Sequence, residues 1–278
     1  MKLVTLRNAG GYSTGVIRGD QVVEVAPGTD VGGFIANDQD WKSTASGASG
    51  SSMPIANADL APVVVAPGKI ICLGLNYRPH IEETGREVPT SPTLFAKFAG
   101  ALIGARDPIV LPAVSDNVDW EVELAFIVGA PMRHVTVEEA TRSIAGFTVL
   151  NDVSVRDYQY RTLQWLQGKT FENSTPVGPS LTTPDEVDDA KDLLVSCEVD
   201  GQVMQKARTS DLLFSPADVA AYISEIITLQ PGDLVATGTP GGVGMARDPQ
   251  VWLKPGQTVR TTIEGLGELV NECVKEAI

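Results

Sequence analysis

Two carboxylates stand two residues apart in an otherwise apolar run, Glu121 and Glu123 within Asn117-Val-Asp-Trp-Glu-Val-Glu-Leu-Ala-Phe-Ile-Val128. The run reads as a strand, and side chains two apart on a strand leave it on the same face. Beyond the acids that face continues as Ala125 and Ile127, while Trp120, Val122 and Leu124 occupy the other, so both sides are suited to burial. A buried carboxylate is costly unless something positive meets it. Three partners remain open for the pair: water on a solvated face, an Arg or Lys, or a divalent cation. A third acid, Asp152, ends another apolar run, Gly146-Phe-Thr-Val-Leu-Asn-Asp152. The chain has only two His and three Cys, which excludes a His- or thiolate-rich zinc or copper centre. Any cation here is a hard one held by oxygen: Mg2+, Mn2+ or Ca2+.

Around this pair the chain reads as mostly β with a few helices, an α+β protein. Residues 1–62 form a small β-rich subdomain of short strands, with Gly19-Asp20 as a hairpin turn and a Ser-, Ala- and Gly-rich exposed connection over 43–52. From residue 63 to 278 longer apolar strands follow, at 63–65, 69–75, 93–97, 120–128, 146–150, 194–199, 203–207, 234–237 and 258–263. Asp200-Gly201 marks a hairpin. Thr136-Val-Glu-Glu139 is a capping box, Ser215-Pro-Ala-Asp218 opens an amphipathic helix to about Thr228, and 157–167 is a third helical candidate. The formal charge of −14 over 278 residues argues against nucleic-acid or anionic-membrane partners. No apolar run is long and unbroken enough to span a membrane or serve as a signal. Cys72, Cys197 and Cys273 have apolar neighbours and read as buried reduced thiols, the expectation for a cytoplasmic protein.

Other residues with chemical potential are scattered. His80 follows a strand and a turn, and His80-Ile-Glu-Glu83 reads as one helical turn that places His80 and Glu83 on one face. A carboxylate holding an imidazole makes a general base for activating water, and a surface His beside an incidental Glu is the competing reading. His134, just ahead of a capping box, reads as a surface residue. Lys97, Arg156 and Lys169 interrupt apolar stretches; singly they are ordinary solvated bases, together they suit a small anionic substrate. Thr237-Gly-Thr-Pro-Gly-Gly-Val-Gly244 is no phosphate loop, since it lacks the Gly-Lys-Ser/Thr ending and Pro240 removes a donor. Gly11-Tyr-Ser-Thr-Gly15 matches a nucleophile elbow only formally, because it lies in a β hairpin.

Five blocks, in this order, resemble the fumarylacetoacetate hydrolase family: Gly74-Leu-Asn-Tyr-Arg-Pro-His80-Ile-Glu-Glu83; Trp120-Glu-Val-Glu-Leu124; Asn151-Asp152 with Arg156; Gly168-Lys169 followed by Pro176-Val-Gly-Pro179; and the 237–244 loop. The resemblance covers about residues 68–270. It implies a rolled, mixed β-sheet and a homodimer. It assigns Glu121, Glu123 and Asp152 as ligands of one Mg2+ or Mn2+ per subunit, His80 and Glu83 as a water-activating dyad on a mobile lid, and Lys169 as a base or electrostatic stabiliser. Arg156, Gln159 and Thr239 match substrate-holding positions, with Lys97 a further candidate whose next residue, Phe98, departs from the family's usual Pro. The function so implied is metal-dependent cleavage of the C–C bond of acylpyruvate-type 2,4-dioxo acids such as fumarylpyruvate. On the same scaffold the alternatives are oxaloacetate decarboxylation and 2-hydroxyhepta-2,4-diene-1,7-dioate isomerisation; a non-catalytic cation or oxo-acid binder is the alternative of another class.

Overall fold

The computed structural model describes residues 1–83, 85 and 87–277. Strands β1 (Lys2–Asn8), β2 (Gly11–Arg18) and β3 (Gln21–Pro27) form a meander, followed by helices α1 (Val31–Asn37) and α2 (Trp41–Ser46) and strand β4 (Ser52–Pro54). Then come β5 (Ile70–Gly74), α3 (Arg78–Glu83), β6 (Thr93–Ala96), β7 (Leu102–Ile103), β8 (Ile109–Leu111), β9 (Val118–Asp119) and β10 (Val122–Val128). Helix α4 (Val137–Ser143) leads into β11 (Ile144–Asn151), β12 (Ser154–Val155), the single turns α5 (Arg156–Gln159) and α6 (Leu166–Lys169), and β13 (Thr175–Thr182). The chain closes with β14 (Leu194–Val199), β15 (Gln202–Arg208), α7 (Pro216–Ile226), β16 (Leu234–Ala236), β17 (Thr258–Ile263) and β18 (Gly267–Lys275).

Among the described residues the main sheet runs β4-β3-β2-β1-β13-β11-β10-β16-β5-β6, with β7 beside β13. It is mixed, since β16 and β5 run parallel while β10 and β11 run antiparallel. A second sheet runs β15-β14-β17-β18-β8. The fold is thus α+β and mostly sheet, as the strand pattern predicts. The opening meander joins the main sheet through β1 and β13, with Lys2 opposite Thr182 and Leu3 opposite Leu181.

All of β10 is buried. Its β-branched and aromatic residues fill both faces of a central strand. Val122, Leu124 and Phe126 enter one apolar cluster with Trp120 and Val149, while Ala125 and Ile127 enter another with Leu3, Phe34 and Ile70. Each large side chain so removed from water contributes ~1.5–3 kcal/mol.

Both capping boxes form. Thr136 Oγ1 accepts from Glu139 N and opens α4, and Ser215 Oγ accepts from Asp218 N and opens α7. Three local expectations differ. Residues 63–65 are bent rather than a strand: Thr5 Oγ1 donates to Val63 O and Val65 N donates to Asp30 Oδ2, so side chains replace a ladder. The connection over 43–52 is helical in its first part, within α2. Residues 157–167 yield only the turns α5 and α6, because Tyr160 leaves helical backbone at the end of α5.

Candidate active site

The strand expected over 120–128 begins only at Val122. Glu121 lies just before it, and its backbone is held by other groups: Glu121 N donates to Asn151 Oδ1 (2.9 Å), and Asp152 N donates to Glu121 O (2.8 Å). Pairing of β10 with β11 puts Val122 opposite Asn151 and so brings the ends of both strands together. The result is a cluster of Glu121, Glu123 and Asp152 whose ligand oxygens lie within 4.8 Å of one another. Their exposures are 4%, 1% and 0%, which rules out the solvated face.

Cations meet two of the three acids. Lys169 Nζ donates to Glu121 Oε2 (2.6 Å) and Asp152 Oδ2 (2.8 Å), Lys97 Nζ donates to Asp152 Oδ1 (2.5 Å), and Arg156 Nη1 stands 2.7 Å from Glu121 Oε1. Burial alone would push the Glu121 carboxyl up, but Lys169 and Arg156 outweigh it and hold it at about 2. Burial would likewise push Lys169 down, yet Asp152 and Glu121 raise it, so it is a fixed ammonium. Glu123 differs. Among the described residues it makes no ion pair; its one hydrogen bond is from Gly238 N to Oε2 (2.8 Å). Burial, with Asp152 and Glu121 beside it, pushes its carboxyl well above the usual range. Three buried carboxylates, one lacking a counter-charge, fit a divalent cation of the oxygen-seeking kind. Each carboxylate oxygen has a second acceptor site beyond its ammonium or guanidinium contact.

The cluster opens onto a narrow cleft whose walls include Glu121, Glu123, Lys169, His80, Arg156, Gln159 and Thr239. Leu73, Leu75, Phe95, Trp165 and Met245 make its apolar side. Trp165 packs edge-on to Phe95 with ring centroids 5.6 Å apart. It also covers Gly74 so closely that any Cβ there would force the indole to shift. Next to it Leu75 has a φ of 60°, a costly conformation for a bulky residue.

His80 Nδ1 lies 2.7 Å from Glu83 Oε1, as the i, i+3 spacing predicts, and Glu83 Oε2 accepts from Gly242 N (2.9 Å). The 237–244 loop is gripped along its length by side chains from elsewhere. Asn76 Nδ2 donates to Thr237 O, and Gln205 Nε2 donates to Thr239 Oγ1 and Pro240 O. Gly244 N and Met245 N donate to Asp119. Asp119 also accepts from Arg156 Nε (2.8 Å), and Arg156 Nη1 donates to Gln159 Oε1 (2.9 Å).

Eight of the ten residues singled out in the sequence make up the cluster and the cleft wall, and Glu83 joins them through His80. Lys97 is the exception as a substrate contact: it is buried behind Asp152 and does not line the cleft. Its ammonium is committed to the carboxylate, which makes it a holder of Asp152. His134 lies outside the site, as expected, its N–H donating to Ser224 O. Sequence reasoning missed Asn76, Asp119, Trp165 and Gln205. The available signals were an uncharged amide right after β5, an acid two residues before Glu121, and a Gln interrupting a solvent-facing hairpin.

The family description "Fumarylacetoacetate (FAA) hydrolase C-terminal" matches residues 69–274. Oxaloacetate tautomerase Fahd2a, mitochondrial, of Rattus norvegicus is 45% identical over 216 residues, covering 77% of this chain and 69% of the relative. The structure of 5-carboxymethyl-2-hydroxymuconate delta-isomerase from Mycobacterium smegmatis matches with a TM-score of 0.83 at 34% identity, over 99% of this chain and 100% of that one. Fumarylacetoacetate hydrolase (EaFAH) from psychrophilic Exiguobacterium antarcticum matches with a TM-score of 0.86 at 30% identity, over 99% and 100%. Three reactions are named on one fold, and in two of them no C–C bond is hydrolysed.

Proposed function

This chain is an enzyme of the fumarylacetoacetate hydrolase family, and from that premise we propose that it interconverts the keto and enol forms of a small 2-oxo acid, with oxaloacetate as the first substrate to test. One observation carries the reading: a buried carboxylate triad with Lys169 bridging two of its members at the wall of a cleft. The tautomerase and isomerase relatives support enolate chemistry without hydrolysis, so it comes ahead of the acylpyruvate cleavage expected first from the residues.

Glu121, Glu123 and Asp152 would hold the divalent cation, Mg2+ or Mn2+, one per subunit. When bound, the cation supplies Lewis acidity at the 2-oxo group. The chain's own residues do the rest. The Lys169 ammonium, fixed by two carboxylates, sets positive charge where an enolate oxygen develops. Arg156 and Gln159, bonded to one another, form a polar wall that orients the anionic substrate. Phe95 and Trp165 keep bulk water from the carbanion-like carbon. His80, oriented through Nδ1 by Glu83, takes a proton from the carbon beside the 2-oxo group to give the enolate, whose oxygen is then protonated to the enol. In the reverse direction the enol loses its O–H proton and the imidazolium returns a proton to that carbon. Loss of carbon dioxide from oxaloacetate would pass through the same enolate.

A second reading is favoured by that same dyad, because an imidazole held by a carboxylate also activates water: hydrolysis of acylpyruvates to pyruvate and a carboxylic acid. A panel with Mg2+ or Mn2+ separates the two. Oxaloacetate is followed by decay of enol absorbance and by pyruvate release, acetylpyruvate and fumarylpyruvate by pyruvate release alone. Accelerated enol decay without pyruvate supports tautomerisation. Pyruvate from acylpyruvates with an unchanged enol rate would sink it. The homodimer and the cytoplasmic setting belong to the same proposal. The first is read from the mass of the enzyme in solution; the second accords with three free, buried thiols. Among the described residues no helix is long and apolar enough to cross a membrane.

A further inference from the structure

Gln205 comes from the second sheet yet reaches the centre of the site. The other residues of β15 are exposed or half-buried, whereas Gln205 is 1% exposed. A bulge explains its direction: Glu198 pairs with Val203 and Cys197 with Gln205, leaving Met204 unpaired. Such an extra residue kinks a strand and re-aims the next side chain. Gln205 Oε1 accepts from Val122 N (3.0 Å), and its Nε2 donates to Thr239 Oγ1 (2.8 Å) and Pro240 O (2.8 Å). Thr239 Oγ1 in turn donates to Val122 O (3.0 Å). Val122 is the residue between Glu121 and Glu123, and both of its backbone polar groups are held by this pair of side chains.

We infer that Gln205 is a positioning residue that sets the approach of Glu121 to Glu123, and with it cation affinity, while its amide N–H groups fix Thr239 on the cleft wall. Its carbonyl and its amide nitrogen then have separable effects. Loss of the acceptor frees Val122 and loosens the carboxylate pair. Loss of the donors frees the loop at Thr239 and Pro240. The inference rests on the cation reading above and does not depend on which oxo acid is turned over.

The test uses the intact enzyme and Mn2+ itself as probe, with affinity from calorimetry and the Mn2+ paramagnetic resonance spectrum as a second readout. Gln205→Leu removes both functions and is expected to weaken Mn2+ binding ~10–100-fold, the usual cost of a lost partner behind a metal ligand. Gln205→Glu keeps an acceptor for Val122 N and removes the donors. It is expected to hold Mn2+ within several-fold of the unaltered enzyme while KM for the 2-oxo acid rises, and its spectrum stays unchanged. Thermal melting identifies the temperature at which each variant is folded, and if Gln205→Leu does not fold, Gln205→Glu carries the test through its split between KM and Mn2+ affinity. Folded variants with unaltered Mn2+ affinity, spectrum and KM would overturn the inference. Failure of the unaltered enzyme to bind Mn2+ would instead overturn the cation reading on which it stands.

Discussion

Replacing Glu123 by Gln should make the metal-free protein more stable and the metal-loaded one less responsive to its metal. Glu123 has oxygens within 4.8 Å of those of Glu121 and Asp152 and makes no ion pair among the described residues. At an effective dielectric constant of about 20, two unit charges 4.8 Å apart repel by about 3.5 kcal/mol. Proton uptake caps the cost. Moving a carboxyl of ordinary value 4.5 to its neutral form at pH 7 takes about 3.4 kcal/mol. Gln is neutral, matches the volume and keeps an oxygen for Gly238 N, so the substitution relieves up to ~3 kcal/mol, or about 6 °C in Tm for a chain of this size. Because the Glu123 carboxyl is raised in the folded protein, its destabilising effect is absent below the ordinary value and grows as pH rises through it. At pH 5 the gain should therefore shrink below ~1 kcal/mol. Cation at a hundred times its Kd adds about 2.7 kcal/mol to the unaltered protein, and most of this increment should vanish in the variant. The assay is thermal melting in chelator and in Mn2+, at pH 7 and pH 5. A variant that melts lower than the parent in chelator at pH 7, or keeps the full Mn2+ increment, would refute the reasoning.

Lys97→Met should destabilise the metal-free enzyme by about 3–5 kcal/mol, since it strands Asp152 beside one remaining cation. Mn2+ should restore part of this loss, as read by melting with and without the ion. Gly74→Ala drives a methyl to 2.3 Å from the Trp165 indole; it should cost about 1–3 kcal/mol, alter tryptophan fluorescence and lower kcat/KM for the oxo acid. Thr136→Ala removes the capping box of α4 at about 1 kcal/mol. The Glu139 carboxyl, held below its usual range by the Thr136 backbone and hydroxyl, contributes stability above its ordinary value that fades as pH falls through it. Acid melting curves of the two proteins should therefore draw closer without meeting, because Thr136 Oγ1 accepts from Glu139 N at any pH.

Much of the site was legible because its chemistry is concentrated in short blocks. The spacing of Glu121 and Glu123 and that of His80 and Glu83 are local, and local geometry made them converge. The capping boxes at Thr136 and Ser215 were equally local. The unread residues act over long separations on backbone groups that leave no trace in composition: Gln205 on Val122, Asp119 on Gly244, Asn76 on Phe214. Residues 63–65 misled for the same reason, since apolar, β-branched side chains announce burial whether the backbone is laddered or bent. The break at Tyr160 had no sequence signal stronger than the helical pattern around it.

The pairing of β1 with β13 reaches beyond geometry. The family match begins at residue 69, yet the strand that covers β13 starts at Lys2. A chain trimmed to the matched region would keep every carboxylate, the Lys169 bridge and the glycine loop, and would also bare the end of β13 at Leu181 and Thr182 together with the apolar faces that Leu3 and Val16 cover. Open sheet edges of that kind recruit other chains. A chain lacking the opening meander should therefore self-associate more readily than the full one, as light scattering of the two would show.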